Sequence, residues 1–539
     1  MAGFRSEFEI KLIGEPHALA ALENSLVVRA LKTGRVAHER YQTVYVDTPD
    51  KALTGAGFIL GRRFEDGAFS QIVKRAGPAR AGGERAEREQ HLPLAADFPL
   101  ATGDARLDAL IETHTDDFAP VLRLDVRRRA FRLSRGRTRI EAAFDVCLAT
   151  GPDETAALFH EAELELIKGD RRDVFAVAAL CLEEAGGGLR ASATSKPARA
   201  LAMMRGEGAG PANRIEIDPE GCAGDALARA LGFCAARVCD LSGAVGGGRD
   251  VEAARQMRVA LRRFRSVERL FRKAASDPAL AALAAQAREA ARIIGAARDW
   301  DVFLADTAPE VEKRYADHGP KGSRPNGLLR PKADFDGLRA VAEERRAVAW
   351  DVAAAHVAAP DFAVFALNLL QSADRYAARP DRTKALRRPV RRFASRALDK
   401  RLAAAARLAV DLHVAAPSAG HPLRIALKKL RYTAQLFRDV YPREARRPYM
   451  RAMSRLQDDF GVLNDAVVAQ GLAADAGEGG GPALARAAGL VGGYRAASAR
   501  AAADRVADNW EAFAALAPFW RAEPSTSGAP PSEDAYAES

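Results

Sequence analysis

Two short runs carry carboxylates at a spacing suited to holding a metal ion. Glu7, Glu9 and Lys11 alternate with Phe8, Ile10 and Leu12, and Glu161, Glu163 and Glu165 alternate with Ala162, Leu164 and Leu166. Side chains two apart on a strand share a face and stand about 6.5–7 Å apart along it. Each run therefore shows charge on one side and apolar groups on the other. One run alone reads equally well as a half-buried strand with a solvated face. Two such rows brought together would repel unless a cation lay between them. Hard divalent ions with oxygen ligands, Mg²⁺ above all, meet that need. The same stretch supplies cations on strand-like segments, among them Arg62, Arg63, Lys74, Arg123, Arg127, Arg128, Arg129 and Arg139. Carboxylates for a metal and basic groups for phosphate oxygens are the parts of metal-assisted phosphoryl hydrolysis.

A second constellation lies further along. Arg255, Arg258, Arg262, Arg265, Arg269 and Arg272 are spaced three, four, three, four and three. On a helix they form one stripe spanning about 25 Å, at 1.5 Å per residue. His421, Arg424, Lys428, Arg431 and Arg438 make a similar row, and Lys384 to Arg392 adds a third basic segment. Glu268 is expected off the first stripe, which leaves the arginines with almost no acidic partner at helical spacing. Like charges so placed repel, so the stripes call for an anion.

The elements that must position these groups change character near residue 210. Before about residue 200 the chain reads as short alternating strands punctuated by glycine and proline. After about residue 220 it is rich in Ala, Leu and Arg at helical period. The stretch between Arg205 and Asn213 has the composition of a flexible linker. Met257 to Arg265 aligns with Leu423 to Arg431 at a constant offset of 166 residues, which also carries Phe271 onto Phe437, Gly295 onto Gly461 and Asp299 onto Asp465. An ungapped offset of that extent means two copies of one helical module. Of 539 residues, 48% are hydrophobic, enough for ordinary cores, and the net charge of +10 favours anionic partners. None of the 5 cysteines forms a Cys-x-x-Cys pair, which disfavours a zinc ribbon. Residues 1–11 hold no apolar signal core, and the apolar stretch from Ala347 to Leu370 is broken by Asp351, His356, Pro360 and Asp361. The expectation is a soluble cytoplasmic protein with no membrane partner.

The first half resembles the CYTH superfamily of triphosphate tunnel metalloenzymes. Glu7, Glu9 and Lys11 match its signature, and further matches follow in order: Tyr45, Asp47, Thr48 and Pro49; Gln71 to Lys74; Arg85, Glu87 and Glu89; Arg128 with Phe131; Glu141 to Asp145; Glu161, Glu163 and Glu165; and Ser195 with Lys196. The resemblance implies a closed antiparallel β-barrel with a charged interior and flanking helices over residues 1–205. It implies that Glu7, Glu9, Glu163 and Glu165 hold Mg²⁺ or Mn²⁺. Lys11, Arg63, Lys74, Arg128 and Lys196 would grip the substrate, and Glu7, Glu9 and Lys11 would be catalytic. The sequence departs at Gly61, where the family has the first arginine of an Arg-x-Arg, so one phosphate contact and some turnover are expected to be lost.

The second half is similar to the CHAD domain, the conserved histidine α-helical domain, over residues 220–518. Gln256 to Arg265 and His421 to Tyr432 carry the likeness, together with Gly295, Asp299 and Asp301, and Gly461 and Asp465. It implies two pseudo-symmetric helical bundles, about 220–375 and 385–518, enclosing a basic channel for inorganic polyphosphate. Arg255, Arg258, Arg262, Arg265, Arg269, His421, Arg424, Lys428 and Arg431 would line it, while Asp299, Asp301 and Asp465 would orient arginines. Residues 206–219 make the linker and 519–539 a disordered tail. The whole reads as a multidomain α+β and all-α protein. The leading function is metal-dependent hydrolysis of tripolyphosphate or another triphosphate, with polyphosphate recruited by the helical half. The alternative is a catalytically weak protein that binds polyphosphate and is targeted to its granules. Nucleic acid is disfavoured, because aromatics are only 7% of the chain and do not interleave with the stripes.

Overall fold

The structure, a computed structural model, describes residues 5–6, 8–75, 88–93, 98–206, 214–318, 331–378, 382–410 and 420–521. Ten strands come first: β1 Arg5–Ser6, β2 Glu9–Gly14, β3 Lys32–Asp47, β4 Phe58–Glu65, β5 Ala68–Arg75, β6 Arg88–Pro93, β7 Ala119–Arg135, β8 Thr138–Thr150, β9 Ala156–Lys168 and β10 Leu189–Ser192. They make one antiparallel sheet in the order β1-β6-β5-β4-β3-β7-β8-β9-β2-β10. The expectation of a closed barrel is corrected here. Among the described residues no ladder joins β1 to β10. The sheet nevertheless curls back on itself, because β1 pairs with β6 while β2, which begins at Glu9, pairs with β9 and β10. The first strand is divided between the two ends of the sheet, which leaves a seam where a continuous strand would have closed the ring.

Helices α1 Pro16–Glu23, α2 Leu26–Leu31, α3 Ala52–Ala56, α4 Ala105–His114, α5 Arg171–Glu184 and α6 Lys196–Met204 flank the sheet. Apolar residues at alternate strand positions explain why. Leu53, Phe58, Leu60, Val73, Leu107 and Ile111 form one buried cluster that packs α3 and α4 onto β4 and β5. Leu12 is fully buried, and Phe8 meets Phe175 of α5 at 5.6 Å between ring centroids. Burying a side chain the size of Leu12 contributes about 2 kcal/mol.

Ten helices follow: α7 Ala223–Gly246, α8 Val251–Ala275, α9 Pro278–Val302, α10 Ala308–His318, α11 Pro331–Ala358, α12 Pro360–Ala377, α13 Val390–Ala409, α14 Gly420–Leu436, α15 Arg443–Gly477 and α16 Gly481–Ala514. The 166-residue offset carries α7, α8 and α9 onto α13, α14 and α15. Compaction follows a different line from composition. One compact unit comprises Met1–Pro389 with Val467–Ala496, and the other Val390–Ala466 with Ala497–Ser539. In the first, Trp300, Phe303, Phe335, Leu338 and Val491 belong to one buried cluster. In the second, Tyr449 packs against Phe513, Phe519 and Trp520 at 4.7, 5.5 and 5.1 Å. That cluster corrects the start of the expected tail. Phe519–Arg521 forms a 3-10 turn, and the Trp520 indole donates to Asp399 at 2.9 Å, so aromatic burial orders it. Residues 522–539, and 207–213 of the expected linker, lie outside the described residues. No single described helix is long and apolar enough to cross a membrane; α11 and α12 pass that test only as a pair bent by 59°. The bend falls where extended Ala359 precedes Pro360.

Candidate active site

The β2–β9 ladder brings the two carboxylate rows face to face. Glu9 stands opposite Glu165, Lys11 opposite Glu163 and Ile13 opposite Glu161. The β8–β9 ladder continues these rows to Glu141, Ala143 and Asp145, and β7 sets Arg128 opposite Asp145. Strand alternation puts all of them on the inner side of the curl. Farther along the same face charge gives way to Tyr41, Tyr45, Val126, Leu124, Cys147 and Phe159, a buried cluster that packs against Ala200, Leu201 and Met204 of α6. The charged rows thus line a chamber with an apolar floor.

Within the chamber the charges are matched closely. Lys11 Nζ lies 2.9 Å from Glu9, 3.6 Å from Glu161 and in direct contact with Glu163. Lys196, the first residue of α6, reaches Glu163 at 2.5 Å, Glu161 at 2.8 Å and Asp145 at 3.0 Å. Arg128 donates to both oxygens of Asp145 at 2.9 and 2.8 Å and to Glu163 at 2.6 Å. Arg199, also on α6, pairs with Glu161. Among the described residues these pairs join Glu9, Asp145, Glu161 and Glu163 to Lys11, Arg128, Lys196 and Arg199. Burial disfavours the Lys11 ammonium, but Glu163 and Glu9 outweigh it and hold its pKa above the ordinary value. Burial likewise opposes Lys196, and Glu161, Glu163 and Asp145 hold it well above. Burial would raise Glu163, but Lys11, Lys196 and Arg128 hold it well below the usual carboxylate range.

The other expected site residues are distributed as follows. Arg63 lies over the Tyr41 ring at 4.2 Å and donates to Thr43 at 3.3 Å, on the chamber side, whereas Arg62 covers Phe69 outside it. Lys74 shares this parity through its partner Ile59. Among the three consecutive arginines only Arg128 enters the chamber; Arg129 pairs with Glu23 of α1 at 2.9 Å. Glu7 lies outside the described residues, as do Arg85 and Glu87. At Gly61 a Cβ would stand 3.0 Å from the Tyr45 ring, 3.1 Å from Thr43 and 3.1 Å from the Val44 carbonyl. A side chain there would therefore require Tyr45, Thr43 or β3 to shift by a few tenths of an ångström.

The carboxylates best placed for a metal are Asp145, Glu161 and Glu163, whose oxygens come within 4.8 Å of one another while all three are buried. Two of these were not in the expected ligand set. Glu161 continues the two-residue spacing of Glu163 and Glu165, and Asp145 is two steps from Ala143 on the same face, so alternation could have found both. Arg199 carries no such signal, because only the packing of α6 brings it to Glu161. An oxygen-only set suits a hard divalent ion, and all three carboxylates are at present covered by cations, Glu161 Oε1 by Lys196 at 2.8 Å. The residues fit a metal that displaces the lysines now covering them.

On α8 the stripe is partly neutralised, which corrects the expectation that it lacks acids. Arg255 is bidentate to Glu252, at 2.6 Å for both bonds. Arg272 is bidentate to Glu268 at 2.6 and 2.8 Å, because a four-residue step returns Glu268 to the arginine face. Arg258 donates to Asp299 at 2.9 Å, crossing α9 where a Cβ on Gly295 would come within 3.3 Å of its guanidinium. Asp301 orients Arg346 at 2.7 Å, while Asp465 accepts from its neighbour Asn464. What remains is a cationic patch. Burial, then the proximity of Arg269, Arg288 and Arg262, pushes the Arg265 guanidinium below its ordinary pKa. In the second compact unit Arg431 donates to Gln457 at 2.6 Å, Arg424 and Lys428 are half-buried and His421 is exposed.

A curled antiparallel sheet around an ion-paired chamber is followed along the chain by a repeated basic helical module. The CYTH domain family matches residues 5–200 and the CHAD domain family residues 229–474. The chain is a CYTH domain joined to a CHAD domain. Its fold is similar to the CHAD domain from the plant Ricinus communis, at 25% identity over 57% of this chain and 98% of that one, with a TM-score of 0.47. It is also similar to HpAC1 from Hippeastrum, described as a putative adenylyl cyclase with a dominant triphosphatase activity, at 18% identity over 37% and 96% of the chains, with a TM-score of 0.27. PptA from Streptomyces chartreusis matches at 17% identity over 54% and 100%, with a TM-score of 0.38. No curated protein matches the sequence.

Proposed function

We propose that the chain hydrolyses tripolyphosphate or a related tri- or polyphosphate in the CYTH chamber, with a divalent metal, while the CHAD domain binds inorganic polyphosphate. The observation that carries this reading is the buried set Asp145, Glu161 and Glu163 surrounded by Lys11, Arg128 and Lys196. A bound Mg²⁺ or Mn²⁺ would supply a Lewis acid and an acidified water there. Asp145, Glu161 and Glu163 would hold the ion, with Glu9 and Glu165 in the adjoining row. Lys11, Lys196 and Arg128 would exchange their carboxylate partners for phosphate oxygens, with Arg63 and Lys74 extending the grip along the wall. Fixed cations aimed at oxygens that gain charge are the main source of acceleration in phosphoryl transfer. The apolar floor excludes water from that end of the chamber. Polyphosphate would lie on the Arg262, Arg265 and Arg269 face of α8 and on the Arg424, Lys428 and Arg431 face of α14. A cytoplasmic location is part of the same proposal.

The test is phosphate release from tripolyphosphate, thiamine triphosphate and nucleoside triphosphates with Mg²⁺ or Mn²⁺. Release is expected to require metal and to vanish in Glu161→Gln and Glu163→Gln. Unchanged release in both variants would remove the enzyme reading. Two observations favour a second reading, a catalytically weak polyphosphate binder directed to granules: every carboxylate of the cluster is already ion-paired, and position 61 holds a glycine that supplies no phosphate contact. Tight tripolyphosphate binding without metal-dependent release would select it.

A further inference from the structure

Helix α7 of the CHAD domain contacts the edge of the chamber through a buried polar relay. Ser192, on the edge strand β10, stands directly opposite Lys11 in the ladder. Its hydroxyl donates to Asp240 of α7 at 2.8 Å, and the Ala193 amide donates to the same Asp240 oxygen at 2.9 Å. An ionised carboxylate only accepts, so the single Ser192 proton points to Asp240. The hydroxyl's lone pairs are left for Arg199, which donates to it at 2.9 Å. The other arm of the Arg199 guanidinium pairs with Glu161. Ser192, Arg199 and Glu161 are all buried. The Ala193 contact fixes the short segment that leads into α6, whose N-cap Ser195 accepts from Ala198 at 3.3 Å and which carries both Lys196 and Arg199.

A solvated or apolar edge would have sufficed to pack two domains. Instead the interface spends a half-buried carboxylate, a buried hydroxyl and a buried guanidinium in sequence, ending on Glu161. Such groups are costly unless each finds its partner, and here each does: Arg199 donates to both Glu161 and Ser192, and Ser192 donates on to Asp240. The remaining Asp240 oxygen is buried without a hydrogen bond, beside Arg190, whose guanidinium lies against α7 at Gly243. Among the described residues, the hydrogen bonds that orient the carboxylate come from Ser192 and Ala193.

We infer that Asp240 is a positioning residue for the chamber: through Ser192 and Arg199 it fixes the orientation of Glu161, so that the metal site is complete only with the CHAD helix in place. This rests on the proposed metal-dependent reading. Partners one step removed from metal ligands are worth about 10- to 100-fold in affinity or activity when removed. In the full-length chain, Asp240→Asn keeps the shape and removes the charge, and Ser192→Ala removes the relay while leaving the Ala193 anchor. Mn²⁺ affinity, read by electron paramagnetic resonance titration with the metal alone, is expected to fall about tenfold in both. Each substitution strips a partner from a buried group and should lower the melting temperature, so titrations are made well below it, and Ser192→Thr should restore the affinity by restoring the hydroxyl. The Mg²⁺ concentration for half-maximal phosphate release should rise in step, with the KM for tripolyphosphate little changed. Wild-type Mn²⁺ affinity in both Asp240→Asn and Ser192→Ala would overturn the inference. A wild-type chain that binds Mn²⁺ but releases no phosphate would overturn the triphosphatase reading alone, leaving the Mn²⁺ comparison to decide the role of Asp240.

Discussion

Replacing Glu163 with glutamine removes the charge on which three cations converge. Lys11 touches it, Lys196 lies at 2.5 Å and Arg128 at 2.6 Å. At an effective dielectric of about 20, each unit pair near 4 Å is worth roughly 4 kcal/mol before desolvation is counted. Breaking a buried pair from one side costs about 3–5 kcal/mol. Glutamine keeps an acceptor of the same shape, so a loss of about 3 kcal/mol of stability is expected, at the lower end of that range. Anion binding should move the other way. A triphosphate entering the native chamber competes with Glu163 for the same three cations and meets its charge. Removing that charge should tighten tripolyphosphate binding in EDTA by about 1.4–2.8 kcal/mol, which is 10- to 100-fold. Calorimetric titration in EDTA and thermal melts on one preparation give both numbers. Lower stability with tighter metal-free binding, and loss of metal-dependent release, is the expected pattern. Unchanged or weaker binding of tripolyphosphate would refute the argument that Glu163 occupies the substrate's cations.

Further outcomes follow from the same geometry. Lysine pKa values raised by folding contribute stability that is fully present below the ordinary value of 10.5 and lost as pH rises through the folded value. The depressed Glu163 contributes stability present above the ordinary 4.5 and lost as pH falls through its folded value. Melting temperature against pH should therefore be level between these limits, and Lys196→Met should flatten the alkaline fall. Gly61→Arg should not raise phosphate release and should cost about 1–3 kcal/mol, because its Cβ would press on Tyr45, Thr43 and the Val44 carbonyl; a faster enzyme of unchanged melting temperature would contradict this. Arg265→Ala and Arg269→Ala should weaken polyphosphate binding and flatten its dependence on salt. Arg272→Ala, whose guanidinium is bidentate to Glu268, should change both less, as titrations at two salt concentrations would read.

Alternation and helical period made much of this architecture legible in advance. Alternation predicted strands with one charged face for the Glu-x-Glu-x-Lys run and the Glu161, Glu163 and Glu165 run, and β2, from Glu9, and β9 carry them. The division near residue 210 and the 166-residue repeat are likewise properties of the chain order, and α7 to α9 recur as α13 to α15. Strand registers were not legible. Which of three consecutive arginines enters the chamber depends on β7 placing Arg128 opposite Asp145, and one residue of slip would have exchanged it for Arg127 or Arg129.

The sequence by itself determined the kinds of charge, their faces and their order along the chain, since these follow from local periodicity. Only the tertiary structure decided which charges meet. Asp145, from a different hairpin strand, joins Glu161 and Glu163, and Lys196 and Arg199 arrive on a helix that caps the chamber floor. Asp240, on α7, meets Ser192 of β10, which in turn accepts from Arg199. Such meetings span tens of residues and depend on packing that no local pattern encodes. The apparent surplus of charge on α8 shared this origin only at Arg258, which reaches Asp299 across the gap at Gly295; Glu268 lies four residues from Arg272 on the same helix, a local spacing.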